Sequence, residues 1–262
     1  MRVAPLLIAI LGCRESMSPD IPPPMADPRE AWQTTLNEVV THDGYVDYDH
    51  LEANRESLDT YVAWLGTERA WRGARPTERV AEWVNTYNAL VLYQVLERRR
   101  PASVLDPKGW IPRPGSRFFV ETQFDIGKNW LSLSEIEHER VRMAFLDYRV
   151  HAVMNCASRS CPPMRRELYS GRGFPLQLRE QFMLWMDDDR GFTIEDGVLE
   201  FNPIMQWFAR DFSFWSGGQT LCQIAGNYAT GRRSVAIREA AKQGCPHGFY
   251  EYDWRLNHKT RD

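Results

Sequence analysis

The 262-residue chain lacks both an excess of positive charge and the common nucleotide- and metal-binding motifs. Its 32 Lys and Arg residues face 35 Asp and Glu residues, so that the formal net charge is −3 at pH 7. Nucleic-acid binding needs a clustered basic face, and the mixed charges predict no nucleic-acid partner. A P-loop, a GxGxxG fingerprint, an HExxH motif and internal repeats are all missing from the sequence. The usual nucleotide-binding, zinc-protease and repeat signatures are therefore absent.

Apolar runs long enough to span a membrane are also missing. The stretch from Val3 to Leu11 is too short for a transmembrane helix, and Arg2 precedes it. The following Ile10-Leu11-Gly12-Cys13 resembles a lipobox, the processing signal of bacterial lipoproteins. We therefore predict a signal peptide at residues 1–12 and a lipid on Cys13 that anchors the protein to a membrane. A plain signal peptide or a mis-set start codon is the alternative.

The residue after Cys13 predicts the location of the protein, and the composition predicts its domain organisation. Residue 14 is Arg rather than Asp, which by analogy favours an outer-membrane lipoprotein that faces the periplasm, or a secreted protein. Residues 13–30, with Pro22-Pro23-Pro24, are predicted to form a disordered tether. No long Ser, Gly or Pro linker interrupts the chain after about Ala31, so residues 31–262 are predicted to form one globular domain. Ten Trp, twelve Phe and ten Tyr residues favour a large core.

Periodicity and turn signals predict an α+β fold that is rich in helices, around a small and mostly antiparallel sheet. A papain- or transglutaminase-like form of that fold is one expectation. Helices are predicted at 31–40, 51–65, from Pro76 onward, and at 164–169, 174–186, 203–209, 221–228 and 234–242. Strands are predicted at 118–124, 151–154 and 249–254, with a hairpin of 192–194 and 198–201 around Asp196-Gly197.

The stretch HAVMNCASRSCPP, from His151 to Pro163, is the most informative part of the chain. It predicts a short buried strand over 151–154, a tight loop that carries Cys156 and Cys161, and then a helix. Cys161 fits the N-cap of that helix and Pro162 its first position. Free N–H groups at a helix start favour negative charge and would lower the pKa of a nearby thiol.

The number of cysteines keeps a structural role open. Without the lipidated Cys13, four cysteines remain in an oxidising compartment. Four cysteines allow three pairings, and the sequence does not choose between them. The most local pairing joins Cys156 to Cys161 and Cys222 to Cys245. Structural disulfides are therefore a serious alternative to a reactive thiol.

Other candidate residues have structural interpretations of their own. Asn88 lies at the edge of the apolar stripe of the helix from Pro76, where bracing a neighbouring loop is favoured over catalysis. The sequence Ser134-Glu135-Ile136-Glu137 fits a capping box, which gives Glu137 a structural explanation. His138 precedes Arg142 by four residues, and we expect a surface or bracing role for it.

A set of spaced motifs resembles the family of domains of unknown function numbered 547, from about Tyr45 to Asn257. Members of that family are often secreted or lipid-anchored bacterial proteins, and the resemblance implies no settled activity. The motifs are Val46-Asp47-Tyr48 with Leu51, Trp83 to Leu90 (WVNTYNAL), Ser132-Leu133 with Ile136-Glu137-His138, Asn155-Cys156-Ala157-Ser158 with Ser160-Cys161-Pro162, and Tyr252-Asp253-Trp254 with Leu256-Asn257.

The first functional hypothesis is a thiol-dependent hydrolase or transferase that acts on a peptide or protein. Such an enzyme needs a thiolate, a histidine that moves protons and a residue that orients the histidine. N–H groups at the helix start near Pro162 would stabilise an oxyanion. The candidates are Cys156 or Cys161 as nucleophile, His151 or His138 as base, and Asn155, Asn88 or Glu137 as orienting residue.

Three alternatives remain open. The chain is either a non-catalytic envelope-binding protein in which Cys156–Cys161 is a structural disulfide, or a thiol–disulfide redox protein. For the redox alternative, the two cysteines are further apart than in C-x-x-C, and no thioredoxin-like βαβ pattern surrounds them. A zinc site formed by the two thiols with His151 and His138 has acceptable ligand types but no diagnostic spacing. The sequence therefore predicts no cofactor.

Overall fold

The computed structural model describes residues 14–71, 76–106, 108–195 and 198–259. The α-helices in these ranges confirm that the domain is rich in helices. They are α1 (Arg29–Val39), α2 (Tyr48–Ala53), α3 (Glu56–Leu65), α4 (Pro76–Glu97), α5 (Leu133–Glu135), α6 (Met143–Phe145), α7 (Phe174–Asp187), α8 (Pro203–Trp207), α9 (Ala209–Trp215), α10 (Leu221–Gly226) and α11 (Gly231–Lys242).

The strands form two small mixed sheets rather than one mostly antiparallel sheet, and the α+β class is confirmed. In each sheet the middle strand has one antiparallel and one parallel neighbour, in the orders β1-β2-β3 and β4-β5-β6. The predicted hairpin is present as β4 and β5, and its turn at Asp196-Gly197 lies outside the described residues. The strands are β1 (Glu15–Met17), β2 (Thr122–Ile126), β3 (Asn129–Ser132), β4 (Phe192–Glu195), β5 (Val198–Phe201) and β6 (His247–Phe249).

Helix α4 is the centre of the larger of two hydrophobic cores. Its residues from Val84 to Leu96 are buried on every side, as expected for a helix enclosed by neighbours rather than lying on a surface. The second core surrounds Phe182 and Trp185 of α7. The segment 148–157 contributes side chains to both cores, for example Val153 to the first and Ala152 to the second. The cysteine loop therefore lies where the two cores meet.

The structure corrects two predictions at this loop. Residues Tyr148–Ala152 form a 3₁₀ helix, so His151 does not begin a buried strand. The described segment 156–170 contains no helix, so neither the helix start at Pro162 nor the helix over 164–169 forms. Pro163 disfavours helical backbone at Pro162, and two adjacent prolines supply no N–H donors. The predicted lowering of the thiol pKa by a helix start at Pro162 is therefore wrong.

The capping box lies two residues earlier than predicted. Strand β3 ends at Ser132, whose hydroxyl accepts the N–H of Glu135, while the Glu135 carboxylate accepts the N–H of Ser132. The following residues Ile136–Arg142 form a π-helix, a rare element that is frequent at functional sites. Glu137 does not take part in the cap, so the capping role that the sequence predicted for it is wrong.

Other segments also differ from the predicted elements. The expected strand at 118–124 is mostly a π-helix over Arg117–Glu121, and β2 begins only at Thr122. The expected strand over 249–254 is reduced to β6, which ends at Phe249. Within the predicted tether, β1 pairs with β2, and the Glu15 carboxylate accepts hydrogen bonds from Arg98 and Arg117.

Two further observations concern the surroundings of the protein. Both disulfides of the most local pairing are present, Cys156–Cys161 and Cys222–Cys245, and they indicate an oxidising compartment. No helix within the described ranges combines the length and apolar character needed to cross a membrane. The predicted signal peptide and Cys13 lie outside the described residues.

Candidate functional site

A cavity of about 170 Å³ brings four of the sequence-predicted residues together. Glu137, His151, Cys156 and Cys161 all line it. The rest of its wall consists of Met154, Ile204 and six aromatic side chains, which are Tyr87, Phe119, Trp207, Phe208, Tyr252 and Trp254. The cavity therefore combines a disulfide and two ionisable groups with an apolar, mainly aromatic wall.

The two sulfur atoms of the cavity are bonded to each other. Cys161 is only 2% exposed, whereas Cys156 is partly exposed, so Cys156 is the more accessible residue of the pair. In this form neither sulfur is a thiolate, and neither can act as the nucleophile of a hydrolase. The zinc alternative needed both thiols as metal ligands, whereas here they form a disulfide.

Hydrogen-bond donors surround this disulfide. The N–H group of Cys156 donates to Cys161 Sγ at 2.8 Å, and the Tyr252 hydroxyl lies 3.5 Å from the same sulfur. The Tyr252 hydroxyl is also 3.3 Å from Cys156 Sγ. Ser158 Oγ lies 2.9 Å from Cys156 Sγ and donates to the Tyr252 hydroxyl at 2.8 Å. Burial raises the pKa of Tyr252, which therefore stays protonated and able to donate. The sequence motifs contained Tyr252, but its distance along the chain gave no reason to place it against the sulfurs.

The two predicted asparagines brace the loop backbone behind the cavity. Asn88 donates to the carbonyl of Val153 at 2.9 Å and accepts the N–H of Asn155 at 2.9 Å. The Asn155 side chain in turn donates to the Pro162 carbonyl at 2.8 Å and accepts the N–H of Ala157 at 2.8 Å. These contacts stabilise the loop and do not orient a histidine.

His151 is oriented by an aspartate that the sequence did not reveal. Its Nε2 atom lies 2.9 Å from Asp211 Oδ2, and its ring packs against Phe208 and Phe212 at centroid distances of 4.4 and 5.3 Å. Arg142 donates to the same carboxylate oxygen at 2.8 Å. Burial lowers the pKa of His151 in spite of the opposing effect of Asp211, so His151 is neutral at pH 7.

Glu137 is the carboxylic acid among the described residues that line the cavity. Its side chain is 19% exposed, and burial raises its pKa to about 7 from the usual 4.5. The positive charge of Arg142 opposes this shift, and the negative charge of Asp211 adds to it. A carboxyl group with this pKa is half-ionised near pH 7 and can accept or release a proton there.

His138 lies outside the lining of the cavity. Its side chain is 45% exposed, and its Nδ1 atom accepts a hydrogen bond from Arg142 at 2.7 Å. Burial and the charge of Arg142 lower the pKa of His138. His138 therefore contacts the group that holds Asp211, not the disulfide.

Residues 72–185 match the family model described as "Protein of unknown function, DUF547". The segment belongs to the DUF547 family. The matched range contains Glu137, His151 and both cysteines of the cavity, whereas Tyr252 and Trp254 lie beyond it. No curated protein and no solved structure is significantly similar to the chain. The papain- or transglutaminase-like form of the fold stays a prediction.

Proposed function

We propose that this protein carries out thiol–disulfide exchange at the Cys156–Cys161 disulfide. The observation that supports the proposal is the position of this disulfide, which lines the same cavity as a carboxyl group whose pKa is about 7. Thiol–disulfide exchange begins with a thiolate, so a group that accepts the proton of an incoming thiol accelerates it. Glu137 is suited to that role near neutral pH.

The reaction transfers two electrons from a dithiol substrate to the protein. Glu137 accepts the proton of the first substrate thiol, whose sulfur attacks Cys156 Sγ while the Cys156–Cys161 bond breaks. The resulting mixed disulfide joins the substrate to Cys156, and Cys161 leaves as a thiolate. The second substrate thiol then attacks the substrate sulfur, which releases the oxidised substrate and the reduced cysteine pair. A protein disulfide reoxidises the pair by the same steps in reverse.

The assignment of the two sulfurs follows from their surroundings. Attack at Cys156 is favoured because Cys156 is the more exposed residue of the pair. The Cys156 N–H group donates to Cys161 Sγ and would stabilise the negative charge of the leaving thiolate. The Tyr252 hydroxyl, 3.5 Å from Cys161 Sγ and 3.3 Å from Cys156 Sγ, would donate to the thiolate as well. Hydrogen bonds to a charged acceptor are the stronger kind, so this stabilisation grows as the bond breaks.

Mild reduction is expected to open this disulfide alone. The purified protein is incubated with a low concentration of dithiol, alkylated with iodoacetamide and weighed by intact mass spectrometry. We expect reduction to add two alkyl groups, at Cys156 and Cys161, to any that label Cys13 before reduction. Cys222 and Cys245 form the internal control, because they are 1% and 8% exposed and lie outside the cavity.

A reduction potential measured on the same samples decides between a working and a structural disulfide. Structural bridges have potentials below about −300 mV. We expect the Cys156–Cys161 pair above that value and the Cys222–Cys245 pair below it. If both pairs resist reduction equally, the exchange function is wrong and Cys156–Cys161 is a structural bridge.

A thiol hydrolase or transferase is the second candidate, and the His151–Asp211 pair favours it. After reduction, Cys156 would be a partly exposed thiol in a cavity shared with a histidine that an aspartate orients at 2.9 Å. A nucleophile, a base and an orienting acid are the components that such enzymes need. Asp211 takes the orienting role that the sequence assigned to Asn155, Asn88 or Glu137.

The second candidate predicts a burst of product. The reduced protein is mixed with a chromogenic thioester, and release of the chromophore is followed in a stopped-flow instrument. We expect a burst of about one equivalent that disappears in Cys156→Ala and persists in Cys161→Ala, because covalent catalysis forms one acyl-enzyme per nucleophile. Equal turnover by wild type and Cys156→Ala would contradict this function.

The proposed place of action is the cell envelope. We propose that Cys13 carries a lipid that anchors the domain to the membrane, in a compartment whose oxidising character agrees with the two disulfides. The protein would be exported and face the periplasm or the outside. Its partners there would be proteins with exposed thiols or disulfides.

A further inference from the structure

We infer that the substrate thiol is uncharged and carries an aryl group close to its sulfur. The inference rests on the proposed exchange function and names the class of thiol that the cavity accepts. The same chemistry occurs in a small aryl thiol and in a cysteine beside an aromatic residue of a polypeptide. Two properties of the cavity, its charge and its size, support this choice.

The charge of the lining disfavours an anionic thiol. Among the described residues that line the cavity, none is Lys or Arg. Apart from the tyrosines, its ionisable side chains are those of Glu137 and His151. The nearby Arg142 is paired with Asp211 at 2.7 Å. A thiol with its own carboxylate or sulfonate would place a second negative charge near Glu137 without a cation to balance it, which costs free energy in an apolar cavity.

The size and the walls of the cavity fit one aromatic ring. Its volume is about 170 Å³, and a cavity of about 150 Å³ lined by apolar side chains holds a benzene molecule. Three of its rings already pack against one another. Tyr252 lies 4.5 Å from Trp254 and 4.9 Å from Trp207, and the two indoles stack at 5.4 Å. The ring of a ligand would contact the edges and faces of these aromatic side chains at the separations that aromatic pairs prefer.

The test compares two thiols of similar acidity, one uncharged with an aryl group and one with a negative charge and no aryl group. The rate of Cys156–Cys161 reduction is measured with benzyl mercaptan and with 2-mercaptoethanesulfonate, under conditions in which Cys222–Cys245 stays oxidised. We expect benzyl mercaptan to react at least about tenfold faster, which corresponds to about 1.4 kcal/mol. Peptides with Cys-Phe and Cys-Glu sequences extend the comparison to polypeptide thiols. Equal rates for the two thiols would overturn the inference.

Variants of Trp207 test whether the cavity causes the preference. The Trp207 side chain is 49% exposed at the wall of the cavity, and Phe214, which is 83% exposed and outside the lining, provides the control. We expect Trp207→Lys to lower the preference at least about fivefold, because a cation there attracts the sulfonate. Phe214→Lys is expected to leave it unchanged. A preference that persists in Trp207→Lys, or falls equally in Phe214→Lys, would contradict the inference.

A ligand without a thiol separates the two proposals. Benzyl methyl sulfide cannot exchange, and its binding to the oxidised protein is followed by isothermal titration calorimetry. Saturable binding that Trp207→Lys weakens supports the aryl site even if no thiol reduces the disulfide, in which case only the exchange function fails. If the disulfide reacts with both thiols and the sulfide does not bind, only the aryl preference fails.

Discussion

Replacing Glu137 by glutamine is expected to slow reduction of the Cys156–Cys161 disulfide about 100-fold at pH 8, the lower end of the usual contribution of general acid–base catalysis. The glutamine keeps the shape of the side chain but cannot accept the proton of the incoming thiol. Because the pKa of Glu137 is about 7, wild type holds the ionised form at pH 8. The loss is therefore measured where the carboxylate is fully available.

The pH profile separates proton transfer from a change in shape. With Glu137 in place, the rate per total thiol is expected to rise as the pH passes through about 7 and then to level off. The Glu137→Gln rate should follow the thiolate concentration alone and keep rising about tenfold per pH unit up to the thiol pKa. Glu139→Gln is the matched control, since Glu139 is exposed on the same π-helix. Identical profiles for wild type and Glu137→Gln would contradict the assigned role.

Strong local periodicity explains which parts of the fold the sequence predicted well. Helix α4 and helix α7 repeat apolar side chains over three or more turns, and the two strands of the 192–201 hairpin alternate around a turn. Such patterns are reliable because they extend over the whole length of an element. The sequence left three disulfide pairings open, and the structure contains the most local of them.

The errors cluster at the site, where local signals conflict. The apolar run after His151 is too short to distinguish a strand from a helical turn. Pro162 resembles a helix start, but the next residue, Pro163, opposes helical backbone. Two Ser-x-x-Glu patterns overlap, at Ser132 and Ser134, and only the end of β3 decides which one caps the helix. The sequence therefore explained Glu137 by a cap that the protein does not make.

Asp211 shows a different kind of limit. It lies 60 residues from His151 along the chain, and nothing in its immediate sequence marks it as a partner of a histidine. The contact arises because α9 packs against the 3₁₀ helix that carries His151, with Phe208 and Phe212 on the imidazole ring. Only tertiary packing brings these groups together, so a sequence reading could propose His151 but not its orienting acid.

The same substitution, Glu137→Gln, is expected to stabilise the protein at pH 8 by about 2–3 kcal/mol. Burial raises the pKa of Glu137 to about 7 in the folded protein from the usual 4.5. Below pH 4.5 the side chain is protonated in both the folded and the unfolded chain, and it costs nothing. As the pH rises through about 7, the folded protein must ionise a buried acid, and stability is lost. At about 1.4 kcal/mol per tenfold change, the full difference is about 3 kcal/mol, which partial exposure reduces.

The measurement is the difference in the free energy of unfolding between Glu137→Gln and wild type, from urea titrations between pH 4 and 8. We expect the difference to be near zero at pH 4 and to grow through pH 7. Carboxylates of lowered pKa, such as Glu15 at about 2, affect both proteins equally and cancel. Glu139→Gln should show no such growth, and a flat difference for Glu137→Gln would mean that its carboxylate is not buried. A residue that destabilises the fold at pH 8 and accelerates disulfide exchange there has the trade-off expected of a catalytic group.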